Sequence, residues 1–158
     1  MDIVFGFVKI DNINKKILYL LQKDARMTYK EIANELKRSE TTIRDRIKAM
    51  EQVGIIQGYT TLIDKIALGL NFFAIILANP VSSSDLDKVT EKIKKLKNVM
   101  RVYQISGKQR IAIFMVTQSY RELKEILRTQ IIPIGLKDDE IITVLEADRE
   151  FLSPIEIP

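Results

Sequence analysis

The stretch KRSETTIRDRIKAM, Lys37 to Met50, carries the side chains best suited to chemistry in this chain, and the chemistry is recognition of a polyanion. Lys37, Arg38, Arg44, Arg46 and Lys48 are opposed there only by Glu40 and Asp45. Ile43, Ile47 and Met50 stand at i, i+4 and i+7, which draws one thin apolar stripe along a helix. With Ile47 at the centre of that stripe and about 100° between successive residues, Thr41, Asp45, Lys48 and Gln52 point away from the core. Thr42 and Ala49 lie beside them, and Arg44 and Arg46 fall on the two borders. Short polar groups framed by guanidinium groups suit a major groove, where small side chains reach base edges and arginines reach phosphates.

The candidate DNA-contacting set is therefore Lys37, Arg38, Ser39, Glu40, Thr41, Thr42, Arg44, Asp45, Arg46 and Lys48. Thr41 and Thr42 can touch a thymine methyl or a phosphate, and Lys48 can meet a guanine or the backbone. Asp45 either accepts from a cytosine amino group or pairs with Lys48 or Arg44; beside phosphates it favours selectivity over bulk affinity. Arg46 either borders the groove or braces the domain through Glu51. The bland alternative for the whole stretch is an amphipathic helix whose charges merely face water.

Positioning such a helix needs a scaffold, and the residues before it supply one. Ile13, Ile17, Leu20 and Leu21 at helical spacing predict a first helix over Asn12 to Lys23, capped by Asp11 or Asn12. Thr28-Tyr29-Lys30-Glu31 is a capping box, opening a short second helix that buries Ile32, Ala33 and Leu36. Ser39 caps a third helix, Glu40 to Val53, and the small Ala33 allows the second to cross it closely, as in a helix-turn-helix. Gly54 suits a left-handed stop, and the alternation from Ile55 to Asp64 predicts a short strand or hairpin, the order of a winged helix.

Beyond a hinge at 64–70 the period changes. Asn71 to Asn79 reads as a strand, Ser82-Ser83-Ser84 begins a helix carrying Leu86, Val89, Ile93 and Leu96, and Val99–Ser106 and Arg110–Thr117 are strands about a turn at Gly107. Tyr120 to Ile131 is helical with Leu123, Ile126 and Leu127 inward, and Glu140 to Glu146 is a last strand. The order βαββαβ is that of a ferredoxin-like sandwich with helices on one face of its sheet. Phe73, Ile75 and Leu77 alternate with Phe72, Ala74 and Ile76, so both faces of the first strand are apolar and a second copy is the simplest cover for the outer one. The predicted class is α+β: residues 1–63 a winged helix-turn-helix domain with an N-terminal arm, and 71–158 a ferredoxin-like domain. The apolar leader Asp2 to Ile10 predicts an added strand, an arm docking on a partner subunit, or a disordered tail.

Composition narrows the function classes. The 158 residues contain no cysteine and no histidine, which excludes disulfides, thiolate zinc sites and cysteine nucleophiles and removes the commonest general base and metal ligand. No enzyme, cofactor or metal site is expected. A net charge of +4 says little about a polyanionic partner, so position carries the argument. Lys88, Lys92, Lys94, Lys95 and Lys97 alternate with Asp85, Asp87 and Glu91 and read as a solvated helix face. No run reaches the roughly 18 apolar residues of a membrane span, and the start lacks a secretory signal, so a cytoplasmic protein is expected.

The chain resembles the feast/famine transcription regulators, the Lrp/AsnC family. The matching residues are Ile10-Asp11, Ile17-Leu18, Leu20-Leu21, Gln22 to Arg26, Glu31-Ile32-Ala33, Ser39 to Ile43, Arg46-Ile47 and Glu51 to Tyr59. The resemblance implies a sequence-specific regulator of double-stranded DNA, with recognition helix Glu40 to Val53 and a C-terminal effector-binding (RAM) domain. It also implies dimers paired sheet to sheet, often assembled into tetramers or octamers, and a small effector, usually an amino acid. The implied effector residues are Ser106, Gly107, Lys108, Gln109, Arg110 and Thr143. The family loop typically reads Gly-Asp-aromatic-Asp; Gly107-Lys108-Gln109-Arg110 lacks both acids, so an ammonium finds no carboxylate in it, and either a ligand carboxylate meets Lys108 or Arg110 or the usual effector is lost. Arg38 is a second departure, standing where the family more often has an apolar residue. Two other classes stand beside this reading: an architectural DNA-binding protein, disfavoured by Glu40 and Asp45, and an enzyme like the siroheme decarboxylases, which use histidines that this chain lacks.

Overall fold

The computed structural model describes residues 3–82, 85–146, 154 and 157. It divides the chain into two compact units, Met1–Leu62 with Arg149–Pro158, and Ile63–Asp148. Among the described residues no helix is long and apolar enough to cross a membrane.

The first unit begins with a hairpin of β1 (Ile3–Phe5) and β2 (Val8–Ile10), in which Phe5 pairs with Val8 across the loop Gly6-Phe7. Gly6 has φ +61° and Phe7 does not have positive φ, the pattern of a type II′ turn. A Cβ there would also lie 3.3 Å from a Val53 methyl, a tight contact that adds to the preference for glycine set by the positive φ. Three helices follow: α1 (Asn12–Lys23), α2 (Tyr29–Leu36) and α3 (Glu40–Gln52). Asp11 caps α1, and Thr28 and Glu31 complete the capping box of α2. Val8, Ile10, Ile17, Ile32, Ala33, Ile43, Ile47 and Met50 form one core, with Ile157 packed against its edge. Each isoleucine fully removed from water contributes roughly 1.5–3 kcal/mol, so the narrow stripe of α3 suffices to dock that helix despite its charge.

The strand or hairpin expected after α3 does not form: among the described residues of 55–64 there is no ladder. The Ile55 and Ile56 N–H groups both donate to the Met50 carbonyl, wrapping the chain around the end of α3, and the Tyr59 hydroxyl donates to Glu51 Oε1 at 2.8 Å. Tyr59, Leu62 and Ile63 stay exposed, and without a neighbouring strand the alternation cannot make a sheet. The two-stranded element of this unit precedes the helices, which fulfils the added-strand reading of the apolar leader.

The second unit is a four-stranded antiparallel sheet in the order β4-β5-β3-β6, made of β3 (Phe72–Pro80), β4 (Val99–Gln104), β5 (Ile111–Thr117) and β6 (Leu136–Thr143). With α4 (Leu86–Ile93) and α5 (Tyr120–Ile126) this is the βαββαβ sandwich. Ala74, Ile76, Ala78, Ile111, Ile113 and Met115 face Val89, Ile93, Leu123 and Ile131 in its core. Helix α4 starts at Leu86; Ser83 and Ser84 lie outside the described residues. The last strand begins at Leu136, earlier than Glu140, because Leu136 pairs with Pro80 and is buried while a bulge opposite Leu77–Asn79 interrupts the alternation.

Candidate functional site

Helix α3 is set by its cap and its stripe. Ser39 Oγ accepts from the Thr42 N–H at 3.1 Å and lies 2.7 Å from Thr42 Oγ1, which fixes the first turn. Ile43, Ile47 and Met50 are buried, and Thr41, Asp45, Lys48 and Gln52 are exposed on the opposite side. Among the described residues neither Asp45 nor Lys48 holds an ion pair, so this face offers a free carboxylate one turn from a free ammonium. Lys37, Arg38 and Glu40 are exposed beside it.

The two bordering arginines differ. Arg44 pairs with Glu40 at 2.5 Å and lies over the Tyr29 ring, 5.6 Å from its centroid, which steers the guanidinium toward α2 at the rim of the exposed face. Arg46 turns inward: its Nη1 donates to Asp11 Oδ1 and Oδ2 at 2.9 and 2.8 Å and to Asn14 Oδ1 at 3.1 Å. Arg46 is thereby tied to the start of α1 through one guanidinium nitrogen, and this brace replaces the one expected through Glu51, which holds Tyr59 instead. Arg46 lies on the flank of α3 that meets the start of α1, and Asp11 is already a carboxylate at a helix N-terminus. No local signal links residues so far apart in sequence; only the shared need of a cap acid and a bordering arginine for a partner hints at it.

Asp11 also accepts from the Ile13 and Asn14 N–H groups at 3.0 and 2.9 Å. Partial burial pushes its pKa up, but the Asn14 N–H, the Arg46 hydrogen bond and charge, and the Ile13 N–H together hold it below the usual 3.8. A carboxyl depressed in the folded state stabilises the fold in full above its unfolded pKa of about 3.9, and that contribution is lost as pH falls through the folded value. Asp11→Asn is therefore expected to destabilise the first unit at neutral pH, with the deficit shrinking as pH is lowered below about 4. Denaturant titrations at several pH values check this; a deficit independent of pH rules out the charge as its source.

The expected effector residues are only partly brought together. Gly107, at φ +127°, turns the β4–β5 connection; the Ile105 N–H donates to the Arg110 carbonyl, and the Arg110 N–H to Ala78 O. Asn79 Nδ2 donates to Lys108 O at 3.2 Å, tying Ser106–Arg110 to the end of β3, and Lys137 pairs with Asn79 from the other side. Thr143 pairs with Ala74 at the far end of β6, roughly 20 Å along the strand from Lys137 at 3.3–3.4 Å per residue, so one chain does not join it to the loop. The loop itself has no carboxylate, as read from the sequence, but Glu140 stands across from Leu77 on the outer face; sequence spacing gave no sign of this neighbour. That face carries Phe73, Ile75 and Leu77 of β3, each half-buried, with Phe114 in edge contact with Tyr103 at 5.5 Å and 6.3 Å from Phe73.

Two family models match this chain: one described as winged helix-turn-helix DNA-binding over residues 10–57, the other as the Lrp/AsnC ligand binding domain over 71–147. The regulatory protein AsnC of Haemophilus influenzae is 37% identical over 125 residues, 77% of this chain and 81% of that one. The HTH-type transcriptional regulator LrpA of Pyrococcus horikoshii is 37% identical over 122 residues, 77% of this chain and 86% of its own. The solved structure of E. coli AsnC superposes with a TM-score of 0.82 at 28% identity, covering 92% of this chain and 99% of that one.

Proposed function

The chain belongs to the Lrp/AsnC family of transcription regulators, and from that premise we propose that it reads a specific duplex sequence through α3, as a two-fold dimer responsive to a small-molecule effector. The observation that carries the reading is the exposed face of Thr41, Asp45, Lys48 and Gln52 opposite the buried stripe of the same helix. An α-helix fits the major groove, where the short Thr41 and Asp45 side chains meet base edges and the longer Lys48 reaches a phosphate. Thr42 and Ser39 sit at the entry of the helix and Arg44 at its rim, where phosphates pass. Two such helices related by a two-fold meet half-sites about one turn, roughly 34 Å, apart, so the operator is an imperfect palindrome.

Effector binding belongs to the second unit. Ser106, Gly107, Lys108, Gln109 and Arg110 present cations at the end of the sheet beside Asn79, and Glu140 supplies a carboxylate on the outer face; a ligand carrying an acid group has its partners in the loop. The fit of the ligand-binding profile over 71–147 supports a ligand in this unit.

Selection of bound duplexes from a random pool, run with and without a mixture of amino acids, tests the reading. Enrichment of a palindromic motif supports it, a change of motif or yield with amino acids supports the effector, and a pool that stays random defeats it. Within an enriched motif, Thr41→Val and Asp45→Ala are expected to relax preference at one or two positions per half-site by about 1–3 kcal/mol. Lys48→Ala is expected to weaken all sequences alike and to lower the log–log salt slope by about one. The reverse pattern exchanges these roles.

A further inference from the structure

Helix α2 ends in a complete Schellman motif. The Arg38 N–H donates to Ala33 O at 2.9 Å and the Lys37 N–H to Asn34 O at 3.3 Å, the paired bonds that close such an end. Its left-handed residue is Lys37, at φ 52° and ψ 53°, the single non-glycine with positive φ among the described residues. Glycine is the usual occupant, because a Cβ crowds the following carbonyl in this conformation. The next position of the motif commonly carries an apolar residue packed back on the helix, and here it is Arg38, exposed, with Nη1 donating to the Lys37 carbonyl at 3.1 Å. Two consecutive positions at which folding alone favours glycine and an apolar group thus both hold cations. The attraction of a cation for the carbonyls at a helix C-terminus offsets only part of the left-handed cost.

We propose that this turn is a phosphate clamp, in which Lys37 and Arg38 grip one strand of the duplex backbone beside the groove entered by α3. The proposal rests on the reading of α3 as the DNA-recognition helix and adds a fixed backbone contact to it. Arg38 uses one guanidinium nitrogen to hold the turn carbonyl, leaving its other donors for phosphate oxygens. Lys37 makes no ion pair among the described residues and projects from a turn whose backbone is locked on both sides by the two Schellman bonds. A contact of this kind sets register and affinity but carries no sequence information. It also places DNA binding in opposition to stability at a single residue.

The test uses the full-length chain as wild type, Lys37→Gly, Lys37→Arg and, as a control with the same charge change in the other unit, Lys92→Ala. Thermal melting is read alongside binding to a random duplex and to a selected one at 50 and 200 mM salt. Lys37→Gly is expected to melt higher than wild type and to bind both duplexes more weakly, their ratio unchanged. Its loss of affinity between the two salt concentrations is expected to be about threefold smaller than that of wild type, one contact's worth. Lys37→Arg restores binding without the gain in melting temperature, and Lys92→Ala matches wild type. The clamp is overturned if Lys37→Gly keeps wild-type affinity and salt dependence, if it loses only the selected duplex, or if it melts lower. A wild-type protein that binds neither duplex instead refutes the DNA-reading function itself.

Discussion

Phe114→Glu is expected to abolish the dimer proposed above, leaving a monomer, and to lower affinity for a duplex with two half-sites by about a hundredfold or more, the scale set by losing a linked second binding event. Phe114 occupies the middle of the outer sheet face, between Tyr103 on one side and Phe73 on the other. Its register partner on β3 is Ile75, which Ile142 flanks from β6, so a carboxylate there sits in the centre of an apolar surface. An ion buried at such a place without a partner opposes association strongly, while in the monomer it remains solvated and the opposite, helix-covered face keeps its core intact. Light scattering with a duplex titration reads both consequences. Unchanged mass with unchanged affinity refutes sheet-to-sheet pairing; a monomer that still binds the two-half-site duplex as tightly as wild type refutes the role of pairing in recognition.

Ile47→Ala is expected to destabilise the first unit by about 2–5 kcal/mol, the usual cost of truncating a fully buried isoleucine. Ile47 is 1% exposed and lies in one core with Ile17, Ile32, Ile43 and Met50. A loss of that size consumes much of the stability of a domain of some sixty residues, so DNA binding should vanish at moderate temperature. The second unit has its own core around Ile76, Ile113 and Met115 and is expected to keep its melting transition. Calorimetry then shows one early transition and one unshifted. Both transitions moving together would mean that the units fold as one.

Much of the fold could be read from local signals. The bounds of α1, the capping box of α2 and the Ser39 start of α3 depend on residues within four positions of one another, and the structure has each of them. Outward exposure of Thr41, Asp45 and Lys48 followed from helical geometry once Ile47 was placed inward. What escaped was non-local or negative. Arg46 finds Asp11 across 35 positions, a pairing fixed by how α3 crosses the start of α1. The segment after α3 alternates like a strand but has no neighbour to pair with. The start of β6 was hidden because its bulge puts residues out of step with the pleat. Lys37 adopts a glycine conformation that its residue type gives no reason to expect. Glu140 reaches the outer face only through the register of β6 with β3.

Because the chain has no cysteine, a cutting reagent can be placed at one chosen point on its surface. Lys48→Cys carrying a tethered iron chelate, bound to its selected duplex, is expected to cleave both strands within two clusters about one helical turn apart, facing the major groove. The same reagent at Lys92→Cys on α4 should leave the duplex uncut. Cleavage from α4 with none from α3, or cleavage from α3 scattered evenly along the duplex, would contradict recognition through the Thr41, Asp45 and Lys48 face.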